Sequence, residues 1–210
     1  AKKKANRIKC LSNQKQLQTA WHLYVGDNND YLPPNDAAAQ TSFIGSWITG
    51  NVQTDTDDTP IREGVLFPFN TSVGIYKCPE DKAQHFATRT IPPGPTYRSY
   101  SITSYMGQRY RKYSEVIHPP PSLAYVFMDE ADQAESPGDS MNDGLMTMSD
   151  YPSLSFADVP SKRHDNGACL SFADGHVEYW KWQSQGSPMV KTRSDQLPDL
   201  RRLQAATQSW

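Results

Sequence analysis

The feature that most constrains the fold is Asp174-Gly175, which separates two β-prone runs at residues 168–173 and 176–182. An Asp-Gly pair between such runs predicts a β-hairpin with a two-residue type I′ turn, because both turn positions need positive φ. This hairpin is the clearest local signal in the chain.

Residues 4–28 predict one amphipathic helix, because apolar side chains recur there at spacings near three and four. Lys and Gln fill the other face, and the polar run at 26–30 ends the helix. The apolar stripe is interrupted at Gln14 and Lys15, where we expect less burial. The apolar positions are Ala5, Ile8, Leu11, Leu17, Ala20, Trp21, Tyr24 and Val25.

The rest of the chain predicts strands and loops rather than alternating helices. Residues 98–106 and 122–128 have the composition of strands, residues 131–162 form a long polar excursion, and residues 197–203 suggest a short helix. We therefore predict an α+β fold in which an N-terminal helix packs on an antiparallel sheet with long loop insertions. Residues 1–30 form the helix and residues 31–210 form the head of a single domain.

Composition excludes several function classes. With 21 Lys and Arg against 23 Asp and Glu, the chain has none of the basic excess of a general nucleic-acid binder. The sequence contains no apolar run long enough to span a membrane. The 11 Tyr, 7 Phe and 5 Trp argue for an ordered chain, because disordered segments contain few aromatic residues.

No motif of a known enzyme class is present: there is no nucleophile elbow, P-loop or dinucleotide-binding glycine pattern. We therefore predict no catalytic residue and no enzymatic activity. The competing hypothesis is a metal-assisted hydrolase built around His164, Asp174 and His176, which lie close to the hairpin in sequence.

Acidic residues in and near the polar excursion suggest a candidate calcium site, because carboxylates are ligands for calcium. The ordinary interpretation is that these groups are solvated and that Asp174 belongs to a turn, and we favour it. The candidate metal ligands are Asp129, Glu130, Asp143, His164, Asp174 and His176.

Two tryptophans, Trp180 and Trp182, alternate along one predicted strand and therefore share a face. Exposed there, they would form a stacking platform for sugars. The same alternation also suits packing against a helix or loop, which is the interpretation we favour.

The three cysteines are Cys10, Cys78 and Cys169, and none lies in a CxxC pair. A zinc ribbon therefore has no support. One disulfide with one buried thiol and three free thiols are equally compatible with the residues alone.

Several segments together resemble one bacterial group. His164, nine residues and then Asp174-Gly175, within RHDNGACLSFADGHVE, resemble the C-terminal signature of prepilin-type pseudopilin-like proteins. The opening ANRIKCLSNQKQL, the later DNNDYLP, YKCPED and RSYS resemble the same group. The match touches both ends and the middle of the chain.

The resemblance implies a pilin-like fold and a structural role. Relatives of type II secretion pseudopilins and type IV pilins form pilus-like secretion assemblies, so we expect a structural subunit or minor component of one. Partners would be other pilin or pseudopilin subunits, contacted through the N-terminal helix.

The resemblance also implies a precursor whose leader, methylated processing site and apolar inner-membrane anchor lie upstream of Ala1. It further implies export to the periplasm or cell surface. The alternative is a periplasmic or surface module that binds a polysaccharide or another secretion substrate.

An exported domain meets an oxidising compartment, so the resemblance implies a Cys10–Cys78 disulfide and leaves Cys169 as a buried thiol. Calcium is held by a loop in major pseudopilins. The resemblance therefore extends a calcium hypothesis to Asp129, Asp143 and Asp174.

Overall fold

The opening helix spans α1 (Lys2–Asp27) in the computed structural model, which describes residues 1–38, 41–85, 87, 92–132, 135–136, 143–184 and 194–208. This confirms the helix predicted for 4–28. Gln14, however, is fully buried: its Nε2 donates to the carbonyl of Cys169 at 2.8 Å. The expected loss of burial at Gln14 is wrong, because its amide bonds a strand backbone, whereas Lys15 is exposed as expected.

Short elements fill the first half of the head. They are β1 (Ala37–Ala38), β2 (Thr41–Ser42), β3 (Gly50–Asn51), α2 (Thr59–Arg62), β4 (Gln84–His85) and β5 (Gly94–Pro95), with 3₁₀ turns at Phe67–Phe69 and Val73–Tyr76. β1, β2 and β3 form one small sheet, and β4 pairs with β5.

The main sheet is built from the second half. Its strands are β6 (Tyr100–Thr103), β7 (Tyr125–Asp129), β8 (Leu145–Met146), β9 (Gly167–Phe172) and β10 (Val177–Lys181), in the order β10-β9-β7-β6-β8. β6 and β7 confirm the strands predicted within 98–106 and 122–128.

The sheet is mixed rather than wholly antiparallel, because β8 pairs in parallel with β6 while the other neighbours are antiparallel. β8 lies beside β6 at the edge of the sheet, and residues 104–144 separate these two parallel strands in sequence, which is long enough for the crossover that a parallel pair requires. The α+β class holds, and the expectation of a purely antiparallel sheet is corrected.

The hairpin β9–β10 is confirmed, but its turn is not of type I′. Val177 pairs with Ser171, the loop lies around Ala173 to Gly175, and only Gly175 has positive φ there, at 97°. Three-residue hairpin loops combine a type I turn with a left-handed glycine. The longer loop follows from the neighbouring segment, because the Ala173 amide donates to the carbonyl of Ala124 instead of closing the hairpin.

Both faces of the main sheet are covered. On one face α1 packs Leu17 and Trp21 into a buried cluster with Phe127 of β7. On the other face α3 (Leu197–Ala205), which confirms the helix predicted at 197–203, packs Leu203 into a second cluster. β7 and β9 are therefore buried along their whole length, as central strands covered on both faces are. None of the helices in the described residues is both long and apolar enough to cross a membrane.

Candidate functional site

Four buried polar side chains meet between α1 and the main sheet. Cys10 comes from α1, Cys78 from the segment after the second 3₁₀ turn, Asp129 from the end of β7 and His164 from the loop before β9. One ligand atom from each lies within 4.8 Å of all the others. Cys10, Cys78 and Asp129 have no exposed surface and His164 is 3% exposed. We call these four residues the buried thiol cluster.

The contacts inside the buried thiol cluster are short and specific. His164 Nε2 lies 3.1 Å from Cys78 Sγ and 3.5 Å from Asp129 Oδ2. The Cys10 thiol donates to Asp129 Oδ2 at 3.6 Å, and the Tyr100 hydroxyl donates to Cys10 Sγ at 3.3 Å. Oδ2 of Asp129 therefore faces both a thiol and an imidazole.

Arg163 holds the other oxygen of the same carboxylate. Its Nη1 donates to Asp129 Oδ1 at 3.0 Å and lies 3.3 Å from Asp81 Oδ2, while its Nη2 donates to Glu135 Oε2 at 2.6 Å. Burial opposes the charge of Arg163, but Asp129 and Asp81 outweigh that effect and raise its pKa. The guanidinium is therefore a fixed positive charge directly behind the cluster.

Burial also sets the protonation of the buried thiol cluster. It raises the pKa values of the Cys10 and Cys78 thiols well above their ordinary range, so both are neutral at neutral pH. Burial disfavours a charged His164, but the hydrogen bonds with Asp129 and Cys78 outweigh it and raise the pKa of His164 to about 9. The buried thiol cluster of the structure therefore contains an imidazolium and two thiols at neutral pH.

Local sequence positions two of the four side chains. Cys78 precedes Pro79, which favours an extended residue there, and the Cys78 amide donates to Ser99 Oγ at 3.0 Å. His164 is followed by Asp165 and Asn166, both with positive φ, at 54° and 61°. Asn and Asp tolerate this left-handed conformation better than other non-glycine residues, which turns the chain sharply from His164 into β9.

The six predicted metal ligands do not form one group. Asp129 and His164 meet, but Asp174 and His176 lie at the opposite end of β9, whose six residues span about 20 Å at 3.3–3.4 Å each. Asp174 Oδ1 and His176 Nδ1 are 2.6 Å apart in an exposed pair at the hairpin. The trio His164, Asp174 and His176 is therefore not a compact site, which removes the geometric basis of the hydrolase hypothesis.

Glu130 and Asp143 also lie outside the cluster. Glu130 follows Asp129 directly, and consecutive residues of an extended chain point to opposite faces. Its Oε2 accepts a hydrogen bond from Ser101 Oγ, and burial raises its pKa well above the ordinary range. Asp143 Oδ1 accepts from the Leu145 amide at 2.8 Å, and burial raises the pKa of Asp143 to about 6. The predicted set is thus divided: Asp129 and His164 lie in the cluster, Asp174 and His176 lie at the hairpin, and Glu130 and Asp143 lie outside both.

The three cysteines are free thiols in the structure, and all are buried. Cys10 and Cys78 are members of the same cluster, so their sulfur atoms lie within 4.8 Å of each other. The Cys10–Cys78 disulfide stays a prediction, while the buried thiol expected at Cys169 is confirmed by its position in β9.

The tryptophans do not form an open platform. Trp182 is 1% exposed and its Nε1 donates to the carbonyl of Ser161 at 2.8 Å. Trp180 is 6% exposed, and the guanidinium of Arg202 in α3 lies 3.7 Å from its ring centre. Both pack between the sheet and α3, so the stacking platform is wrong and the packing interpretation is correct.

All four members of the cluster were named from the sequence, but in separate hypotheses. The resemblance implies a disulfide between Cys10 and Cys78, and the sequence groups Asp129 and His164 with acidic residues that the fold places elsewhere. Arg163 and Tyr100 were not singled out, because their role depends on distant segments of the chain.

No family model matches the chain, and the searches of curated proteins and of solved structures likewise found no match.

Proposed function

We propose that this chain is the head of a pilin-like structural subunit of a pseudopilus or type IV pilus-like secretion assembly, acting after export at the periplasmic side or the cell surface. The observation that carries the proposal is the arrangement of α1. This helix of 26 residues, about 39 Å long, is packed on the main sheet from Cys10 onward. The resemblance of the opening and closing motifs to prepilin-type proteins points the same way.

The exposed part of α1 supplies the surface for assembly. Residues 1–5 are exposed, and the apolar side chain of Ile8 is 57% exposed. In a pilin-like subunit this end of the helix contacts neighbouring subunits, while the head is displayed outward. Leu23, which is 51% exposed near the other end of α1, is a second apolar position of the same helix.

The polysaccharide-binding alternative has lost its structural support. It depended on exposed aromatic side chains, and Trp180 and Trp182, the two named for it, are buried against α3. We therefore propose the assembly role alone.

The test is assembly of the protein in its native host, expressed from its full gene. Amine-reactive cross-linking of intact cells captures neighbours through the exposed lysines of α1. We expect the wild type to give a ladder of cross-linked species that contain other pilin-type subunits, and we expect Ile8→Glu to lose most of that ladder. A charged side chain at a subunit interface costs more than one in solvent.

Ile44→Glu is the matched control, because Ile44 is an isoleucine of the head that is 97% exposed. It should leave the ladder unchanged, and circular dichroism should show that both variants are folded. An unchanged ladder for Ile8→Glu, or a wild type that cross-links only as a monomer, would refute the assembly role.

A further inference from the structure

We propose that the buried thiol cluster is a structural zinc site, in which Cys10, Cys78, His164 and Asp129 each supply one ligand. This inference is independent of the proposed assembly role, since it depends only on the four side chains and their surroundings. It replaces the calcium hypothesis at Asp129 with a different metal and a different ligand set, and it excludes the Cys10–Cys78 disulfide, because both sulfur atoms are zinc ligands.

The geometry is close to that of a tetrahedral site. Zinc binds sulfur at about 2.3 Å and nitrogen or oxygen at about 2.0–2.2 Å, so ligand atoms in a tetrahedron are separated by about 3.3–3.8 Å. His164 Nε2 lies 3.1 Å from Cys78 Sγ and 3.5 Å from Asp129 Oδ2, and Cys10 Sγ lies 3.6 Å from the same oxygen. All pairs of ligand atoms lie within 4.8 Å, so small side-chain adjustments suffice for coordination.

The donor atoms select the metal. Two sulfur atoms, one imidazole nitrogen and one carboxylate oxygen form a mixed set that suits zinc. Calcium takes six to eight oxygen ligands, and this cluster offers a single carboxylate. The four donors complete a tetrahedron without an open position, which is typical of a structural rather than a catalytic zinc site.

The charges around the cluster also fit. A Zn²⁺ ion bound by two thiolates, one carboxylate and one neutral imidazole forms a site of net charge −1, and the protons of both thiols and of the imidazolium leave for solvent on binding. Arg163 compensates that charge, because its Nη1 donates to Asp129 Oδ1 at 3.0 Å. The same hydrogen bond orients Asp129 Oδ2 toward the cluster, and hydrogen-bond partners commonly orient metal ligands in this way. The Tyr100 hydroxyl supports Cys10 Sγ in the same way at 3.3 Å.

The protein surface approaches one of the four ligands. A surface pocket of about 240 Å³ is lined by Lys3, Lys4, Arg7, His164 and Asp165. His164 therefore connects the buried cluster with the surface. The metal would join α1 to β7 and to two loops, and so would fix the helix on the head.

The first experiment uses the unmodified chain. Protein reduced and stripped with a chelator is titrated with Zn²⁺ against a chromogenic chelator, and with Co²⁺ while the visible and near-ultraviolet spectra are recorded. We expect one equivalent of Zn²⁺, tetrahedral Co²⁺ bands and a thiolate-to-cobalt charge-transfer band. Zinc should raise the melting temperature of the stripped chain, because an ion that binds only the folded state stabilises it.

Matched variants locate the site. Removing a residue that hydrogen-bonds a metal ligand already lowers metal affinity by about 10–100-fold. Removing a ligand itself, as in His164→Gln and Cys78→Ser, should therefore lower the affinity for zinc by at least about 100-fold. Cys78→Ser should also reduce the charge-transfer band. His176→Gln removes the same residue type as His164→Gln, but at the exposed hairpin outside the four ligands, and should bind zinc as the wild type does.

Three results would overturn the proposal. One is a reduced wild-type chain that binds no zinc at stoichiometric concentration, and another is a chain that binds calcium more tightly than zinc. The third is equal loss of zinc in His176→Gln and His164→Gln. The wild-type titration tests zinc binding without any variant. The proposal can therefore still be refuted if a variant fails to fold. Failure of zinc binding would leave the cross-linking result untouched, so the two proposals fail separately.

Discussion

Within the described part of the chain, a histidine–aspartate pair lies near each end of β9, and the surroundings of these two pairs are opposite. His164 and Asp129 are buried between α1 and the sheet with two thiols, and Arg163 lies behind them. His176 and Asp174 lie at the hairpin loop with side chains that are 36% and 38% exposed. The exposed pair has the shorter contact, at 2.6 Å against 3.5 Å.

This difference teaches that contact distance alone does not rank the two pairs. Water screens an exposed ion pair, which contributes at most about 1 kcal/mol. A buried charge has no such screening, so removal of one partner leaves the other uncompensated. In the His-(nine residues)-Asp-Gly element we therefore propose that His164 has the functional role. Asp174 and Gly175 have a structural role in the hairpin.

The largest expected difference in stability appears when the aspartate of each pair is changed to asparagine. Asp129→Asn removes a buried charge that accepts from Arg163, and should lower the free energy of unfolding of the metal-free chain by about 2–3 kcal/mol. Asp174→Asn should change it by less than about 1 kcal/mol. Urea unfolding followed by tryptophan fluorescence, in the presence of a chelator, measures both. Equal losses would show that burial does not separate the two pairs.

A smaller loss of stability is expected from a change in backbone conformation at the hairpin loop. Gly175 has φ of 97°, so Gly175→Ala should cost about 1–2 kcal/mol through the left-handed conformation alone. The space is sufficient, because the nearest atom to an added Cβ, Nε2 of His22, is 3.5 Å away. Thermal unfolding measures the loss.

Gly26→Ala is the matched control for that change, because an added Cβ meets nothing within 4 Å and Gly26 lies within α1. It should stabilise the chain by up to about 1 kcal/mol through helix propensity. A destabilising Gly26→Ala together with a neutral Gly175→Ala would contradict the assignment of strain to the hairpin loop.

The smallest effect concerns pH. Slight burial opposes the charge of Asp174, but hydrogen bonds from the backbone and ring of His176 outweigh it and lower the pKa of Asp174. A lowered pKa means that its stabilising contribution is present above the ordinary value of about 3.9 and is lost as pH falls through the folded-state value. Melting temperatures between about pH 5 and pH 2 should fall slightly more for the wild type than for Asp174→Asn. A steeper fall for the variant would reverse the sign of this coupling.

Much of the local structure could be predicted from the sequence. The spacing of apolar residues predicts α1, the composition of residues 122–128 predicts β7, and Asp174-Gly175 predicts the hairpin. These predictions succeed because each depends on neighbours within a few positions. The type of the hairpin turn was wrong, because the Ala173 amide bonds Ala124, which comes from another part of the chain.

The face of each residue was less predictable. Gln14 interrupts the apolar stripe, and a polar side chain normally marks solvent exposure. Here its amide reaches the backbone of β9, so it is buried with a partner. For Trp180 and Trp182 the alternation correctly places both side chains on one face of the strand. It does not reveal whether that face is exposed, and in the structure α3 covers it.

The sequence by itself determined α1, α3, β6, β7, the hairpin β9–β10 and the four residue types of the candidate site, but not the edge strand β8. Only the tertiary structure decided that Cys10, Cys78, Asp129 and His164 belong together and that Asp174 and His176 do not. The physical reason is distance along the chain. Local propensity acts over a few residues, whereas these four side chains come from separate segments that meet only when α1 packs on the sheet.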